Sequence, residues 1–182
     1  MARVCPWWFV RSFDNPIRRL LHDSEQMFGE WVRPGMHVLD LGCGAGFNTE
    51  GLTRLVGSDG VVVAIDLQPH MLAMTRRRLE RVGLSERAEF VKSTANDLRL
   101  STDQRFRFAV AFWMVHEVSN AEHFFKQVRN VLEVGSPMPI VEPKVHVGRD
   151  AFEASARAAR RAEFLEKARP RVTLSQSVVL LR

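Results

Sequence analysis

Three alternating glycines behind an aspartate are the residues of this chain whose types and spacing most directly suggest chemistry. Asp40 ends the apolar run "HVLD", and Gly42, Gly44 and Gly46 follow at every second position, with Cys43 between the first two. Glycine in such a turn tolerates positive φ and lets a ligand approach the backbone without meeting a Cβ atom. The spacing then discriminates between ligands. A dinucleotide fingerprint, G-x-G-x-x-G, needs a glycine where Phe47 stands, and a triphosphate loop needs a lysine after its glycines, whereas Asn48 and Thr49 carry no charge. Asp40 would repel polyphosphate but suits a ligand carrying positive groups. A nucleoside without phosphates fits this loop best.

The elements that must position these residues follow from periodicity. "HVLDLG" reads as a first strand, "FNTEGLTRLVG" as a helix closed by Gly57, and "GVVVAIDLQ" as a β-branched second strand ending at Asp66. "PHMLAMTRRRLERVG" is a helix opened by Pro69 and ended by Gly83, with apolar residues 71, 72, 74, 79 and 82. "AEFVKSTANDL" supplies a third strand and loop, "FRFAVAFWMV" a buried fourth strand, and "AEHFFKQVRNVLEVG" the next helix. "MPIVEPKVHV" is a fifth strand, residues 150–162 form a helix, and the last twenty residues make a hairpin hinged at Pro170. Strands alternating with helices predict a mainly parallel sheet covered on both faces. In such sheets ligands sit beyond the carboxyl ends of the strands, where strand order reverses, and the glycine loop emerges there.

The 182 residues, 46% apolar and 26% charged, without repeats or low-complexity blocks, read as one soluble domain: a core from residue 31 and an N-terminal extension over residues 1–30. The net charge of +5 rests on dispersed arginines, with "TRRRLERV" as a solvated helix face rather than a nucleic-acid patch. Cys5 and Cys43 lie far apart and lack partners at zinc-ligand spacing, so no metal is expected and a reduced, cytoplasmic setting follows. No run has the length of a membrane span or the form of a signal peptide. Trp7, Trp8, Phe9 and Phe13 make the extension a candidate aromatic lid, or a cover for the sheet edge.

"VLDLGCGAG", followed one βαβ unit later by "VVAIDLQPHML" and then in order by "FWMVHEV" and "IVEP", resembles the cofactor site of class I S-adenosylmethionine-dependent methyltransferases. The likeness covers about residues 36–146 and continues more weakly to the end. It implies a three-layer, Rossmann-like α/β fold with a mostly parallel seven-stranded sheet and an antiparallel C-terminal strand. S-adenosylmethionine is then the implied cofactor. The resemblance assigns Gly42, Cys43, Gly44 and Gly46 to the loop around its methionine and ribose portion, and Asp40 to its amino group, directly or through water. It assigns both ribose hydroxyls to Asp66, a bidentate task suited to a carboxylate, and packs Leu67 on the adenine face. Without a ligand, Asp66 would be an ordinary helix N-cap, and Asp40 would steady the glycine turn. Relatives often carry an acidic residue after the third strand for the adenine amine. Here Thr94 and Ala95 stand at that place, with Asn96 and Asp97 behind, so the adenine partner stays open among Thr94, Asn96 and Asp97. The turn before the fifth strand also departs from the family, and Pro139 falls where a central strand needs an N–H.

Methyl transfer from a sulfonium depends chiefly on positioning and desolvation, and a base matters where the acceptor must lose a proton. His116 and Glu117, after the fourth strand, are the candidates for that role, with Glu142, Lys144 and His146 at the end of the fifth. The expected acceptor is a small molecule. The alternatives are a nucleic-acid or protein acceptor held by the arginines, and a non-catalytic binding protein that keeps the fold.

Overall fold

A computed structural model describes residues 22–182. The aromatic stretch expected as a lid, from Trp7 to Phe13, lies outside the described residues. Seven strands form one sheet: β1 His37–Leu41, β2 Val61–Asp66, β3 Ala88–Lys92, β4 Phe108–Phe112, β5 Pro137–Pro143, β6 Leu165–Ala168 and β7 Ser175–Leu181. Their spatial order is β3-β2-β1-β4-β5-β7-β6. β1 to β5 pair in parallel, and β7 runs antiparallel to both of its neighbours. The expected mostly parallel sheet with an antiparallel C-terminal strand is present, and its order reverses between β1 and β4.

The helices are α1 Ser24–Phe28, α2 Phe47–Val56, α3 Pro69–Arg81, α4 Ala121–Val131 and α5 Arg149–Arg161. Alternate residues of the central strands supply the two cores. Leu39, Leu41, Val63 and Ile65 face the side occupied by Phe125 of α4 and Phe152 of α5. Val38, Val62, Phe108 and Val110 face Phe28 of α1 and Leu52 of α2. This is the two-residue period of a strand buried on both faces, and it fixes the height at which each strand end delivers its polar residue.

Three local expectations are corrected. β5 ends at Pro143 rather than running on to Val147, because residues 144–146 form a turn. β4 ends at Phe112 rather than running to Val115, because Trp113 takes a left-handed conformation with φ 60°, and Val115–Glu117 then forms one 3-10 turn. Val82 is not part of the buried face of α3: it caps the helix and is 42% exposed.

Pro139 is accommodated in a definite way. The Trp113 amide donates to the Val141 carbonyl, so the odd-numbered residues of β5 point their backbone groups at β4. Pro137 and Pro139 share that side but precede the registered pairs Ala111–Ile140 and Phe112–Val141. The missing N–H groups therefore fall where β4 and β5 are not yet paired, and the ladder with β7 is unbroken from Pro137 to Pro143.

Candidate functional site

All three glycines of the loop between β1 and α2 have positive φ, 68°, 55° and 81° for Gly42, Gly44 and Gly46. Their surroundings give them different duties. A Cβ on Gly46 would stand 2.7 Å from the Thr75 methyl group, and one on Gly42 would stand 2.8 Å from Met114. Those two glycines let α3 and the segment after β4 close on the loop. A Cβ on Gly44 would meet nothing within 4 Å, so its open face is available to a ligand. The loop is held from behind: the Thr75 hydroxyl donates to the Gly44 carbonyl at 2.8 Å, and the Cys43 amide donates to the Ile65 carbonyl at 2.9 Å.

Asp66 binds the two sides of the site together. One carboxylate oxygen accepts from the Gly44 amide at 3.0 Å and the other from the Gln68 amide at 2.8 Å. Burial pushes its carboxyl above the ordinary value of 3.8, and hydrogen bonds from the Gln68, Gly44 and Leu67 amides pull it part of the way back. Before this carboxylate lies a cleft of about 530 Å³, whose walls include Gly42, Gly44, Asp66, Leu67, Thr94 and Ala95. Glu117 also lines it, as do Trp113 and Met114.

Other expected residues stand back from the cleft. Asp40 is 1% exposed and accepts the Thr49 hydroxyl at 2.6 Å, a bond that ties β1 to the first turn of α2. The Cys43 side chain is buried 3.6 Å from the Thr75 hydroxyl. Burial, and then the charges of Asp40 and Asp66, push its thiol well above the ordinary range. Neither Asp40 nor Cys43, Gly46 or His116 is among the cleft-lining residues. Thr94 spends its hydroxyl on its own turn, accepting from the Asp97 amide at 3.0 Å, while Asp97 accepts from the Arg99 amide. The Asn96 carbonyl meets the His123 Nε2 at 3.0 Å and accepts from Gln127 at 3.1 Å, so α4 clamps this loop from outside.

Sequence reasoning missed Glu50. Its buried carboxylate accepts from Arg78 of α3 at 2.7 Å and from Arg54 at 2.8 Å, and Arg78 also donates to the Ala45 carbonyl of the glycine loop. The four-residue step from Glu50 to Arg54 was visible in the sequence; the 28-residue step to Arg78 had no local signal.

His116, in the turn after β4, meets Glu142 of β5 twice. The ring Nδ1 lies 2.6 Å from one carboxylate oxygen, and the backbone amide donates to the other at 3.2 Å. The His146 Nε2 stands 3.3 Å from the His116 Nε2. Burial lowers the His116 pKa, but the hydrogen bond and charge of Glu142 and the charge of Glu117 outweigh it, leaving the ring above its ordinary 6.5. Among the described residues no group of three or more His, Cys, Asp or Glu is arranged to hold a metal ion.

Residues 38–135 match the family model of the methyltransferase domain. The chain belongs to the class I S-adenosylmethionine-dependent methyltransferases. This methyltransferase-family chain is 32% identical over 111 residues to the ubiquinone/menaquinone biosynthesis C-methyltransferase UbiE of Cronobacter sakazakii, covering 61% of this chain and 44% of that protein. The corresponding Klebsiella pneumoniae protein is 32% identical over 119 residues, 62% of this chain and 47% of that one. The chain thus spans just under half the length of these curated relatives. A SAM dependent methyltransferase from Aquifex aeolicus superposes with a TM-score of 0.86 at 25% identity, covering 98% of this chain and 99% of that one.

The cofactor of this methyltransferase-family chain is S-adenosylmethionine, and its cleft suits that group on features of its own. The Gly44 wall is open where a side chain would intrude, and the Asp66 carboxylate faces the cleft, with acceptor capacity beyond its amide donors.

Proposed function

We propose that this protein transfers a methyl group from S-adenosylmethionine to a small-molecule acceptor. The observation that carries the reading is the cleft of about 530 Å³, lined by Asp66, the open face of Gly44 and Glu117. Its size lies within the range of small-molecule pockets, about 300–1,000 Å³. When bound, the cofactor supplies an electrophilic methyl group on a sulfonium whose leaving group needs no activation. Asp66 holds the ribose hydroxyls, Leu67 packs on the adenine, and the Gly42 and Gly44 backbone admits the methionine portion. Asn96 lines the cleft beside them, and its side-chain amide suits the adenine edge because it both donates and accepts.

Two features favour a small acceptor over a nucleic acid. The curated relatives are named as C-methyltransferases of ubiquinone/menaquinone biosynthesis. Many surface arginines are also engaged by carboxylates: Arg160 by Glu166, Arg161 by Glu122, Arg129 by Glu163, and Arg169 by Glu153 and Glu166. Such paired charges contribute little to an anion-binding field. No helix among the described residues is long and apolar enough to cross a membrane; a cytoplasmic setting is part of this proposal.

The test is calorimetric titration with S-adenosylmethionine and its demethylated product, with Asp66→Ala as control, followed by labelled-methyl transfer into the small-molecule fraction of a cell extract. Wild type should bind both nucleosides and label a small compound. Absence of binding would overturn the cofactor assignment, and label confined to RNA or protein, lost steeply with added salt, would replace the acceptor class.

A further inference from the structure

Glu142 has an unusual position for a carboxylate. It is 0% exposed, and its carboxylate is hydrogen-bonded to the ring and the backbone amide of His116. A buried carboxylate is costly unless it is paired and hydrogen-bonded, and here the partner is itself titratable. The pair lies where the ends of β4 and β5 deliver their polar residues, beside the cleft. Glu117, the residue after His116, lines the cleft and places its Oε1 4.0 Å from the His116 Nε2. On the far side, exposed His146 brings its own Nε2 to 3.3 Å from the same nitrogen.

We propose that Glu142 is a positioning residue that holds His116 as the Nδ1–H tautomer, so that its Nε2 accepts a proton delivered from the cleft by Glu117 and releases it to solvent through His146. The proposal rests on the methyl-transfer reading and specifies the acceptor class: one that loses a proton, such as a hydroxyl, an ammonium or an acidic carbon. In the step, the acceptor atom forms a bond to the methyl carbon while the carbon–sulfur bond breaks and leaves its electron pair on sulfur. The acceptor's proton passes to the Glu117 carboxylate and on to the His116 Nε2. The resulting imidazolium is paired with Glu142, and the proton leaves by way of His146.

The ring's surroundings agree with this assignment. The carboxylates acting on His116 are Glu142 on β5 and Glu117 on its own turn, and together they outweigh burial to favour the protonated ring. The tautomer follows from the 2.6 Å approach of Nδ1 to a carboxylate that can only accept. His116 and His146 meet edge to face, with ring centroids 4.9 Å apart, so the half-buried His116 ring stands beside an exposed one.

The test combines a spectroscopic and a kinetic readout on the full chain saturated with S-adenosylhomocysteine or S-adenosylmethionine. Nitrogen-15 NMR of the imidazole rings should show His116 as the Nδ1–H tautomer, titrating above 6.5 in the wild type. Glu142→Gln keeps an acceptor at Nδ1 but removes the charge, so the His116 titration should move to lower pH. The rising limb of labelled-methyl transfer into the extract's small-molecule fraction should move with it, with nucleoside affinity unchanged by calorimetry. His116→Gln should lower that transfer by about a hundredfold or more, the usual range for losing a proton-transfer group. An Nε2–H tautomer in the wild type, or a pH limb that stays in place while the His116 titration moves, would overturn the proposal. Loss of nucleoside binding by the wild type would instead overturn the cofactor reading beneath it.

Discussion

The three glycines of the loop allow ligand space to be separated from fold space by adding one methyl group at a time. Gly44 and Gly35 form the informative pair, because both have positive φ, 55° and 79°, and a Cβ on either meets nothing within 4 Å. Alanine at either position carries the left-handed backbone penalty, about 1–2 kcal/mol. For a chain of this size each kcal/mol lowers the melting midpoint by about 2–4 °C, so both variants should melt about 2–8 °C below wild type. Only at Gly44 does the new methyl group enter the cleft. The amide that donates to Asp66 and the carbonyl that accepts from Thr75 both survive the change, so lost hydrogen bonds cannot explain an effect on binding. Gly44→Ala should therefore weaken S-adenosylhomocysteine by at least about tenfold, 1.4 kcal/mol, while Gly35→Ala leaves it unchanged. Gly42→Ala and Gly46→Ala should lose more stability, because their methyl groups would lie 2.8 and 2.7 Å from Met114 and Thr75; overpacking adds about 1–3 kcal/mol. Calorimetric titration and thermal melts of the four variants settle the point. Wild-type affinity in Gly44→Ala, with a melting loss equal to that of Gly35→Ala, would refute the reasoning that this open face is where the ligand lies.

Cofactor affinity should fall as pH is lowered through the Asp66 pKa, which burial holds above 3.8, because the carboxylate is the form that accepts the ribose hydroxyls; isothermal titration between pH 7 and pH 4 checks it. For the unliganded protein the sign is opposite. A raised folded-state pKa gives stability that is fully present below the unfolded value and is lost as pH rises through the folded one. Glu50→Ala should destabilise the chain by about 3 kcal/mol in urea unfolding, since it removes the buried carboxylate that pairs with the largely buried Arg78 guanidinium; a loss under 1 kcal/mol would show that water replaces the carboxylate. Cys43 should resist iodoacetamide at neutral pH and react only on unfolding, because its thiol is buried and held protonated; mass spectrometry reads the site.

The sheet, the glycine turn and the strand-ending Asp66 were legible because each is written in a short window: alternation for strands, helical spacing after them, and glycines where backbone must turn left. What escaped is the direction in which side chains point. Cys43 sits between two glycines of the ligand loop yet turns its sulfur to Thr75, and Asp40 spends its carboxylate on Thr49. Both partners belong to helices whose rotation about the loop no local pattern specifies. Trp113 is a similar case: a β-favouring residue in an apolar run was read as strand, but it takes φ 60° and ends β4, while its indole N–H reaches Ser175, 62 residues onward. The pairing of His116 with Glu142 likewise spans 26 residues and depends on β4 and β5 being neighbours.

The prolines of β5 have an architectural consequence. Since Pro137 and Pro139 turn toward β4 without donors, the two strands are stitched only at their upper end, through Ala111–Ile140 and Phe112–Val141. The β4–β5 seam is thus short within an otherwise continuous sheet, and its paired end is where His116 meets Glu142. The family match stops at residue 135, just before β5 begins. β5, β7 and α5 lie beyond that match yet share one buried core with β1, β2 and α4, so a change of side-chain volume in the last third of the chain is felt under the strands that carry the glycine loop.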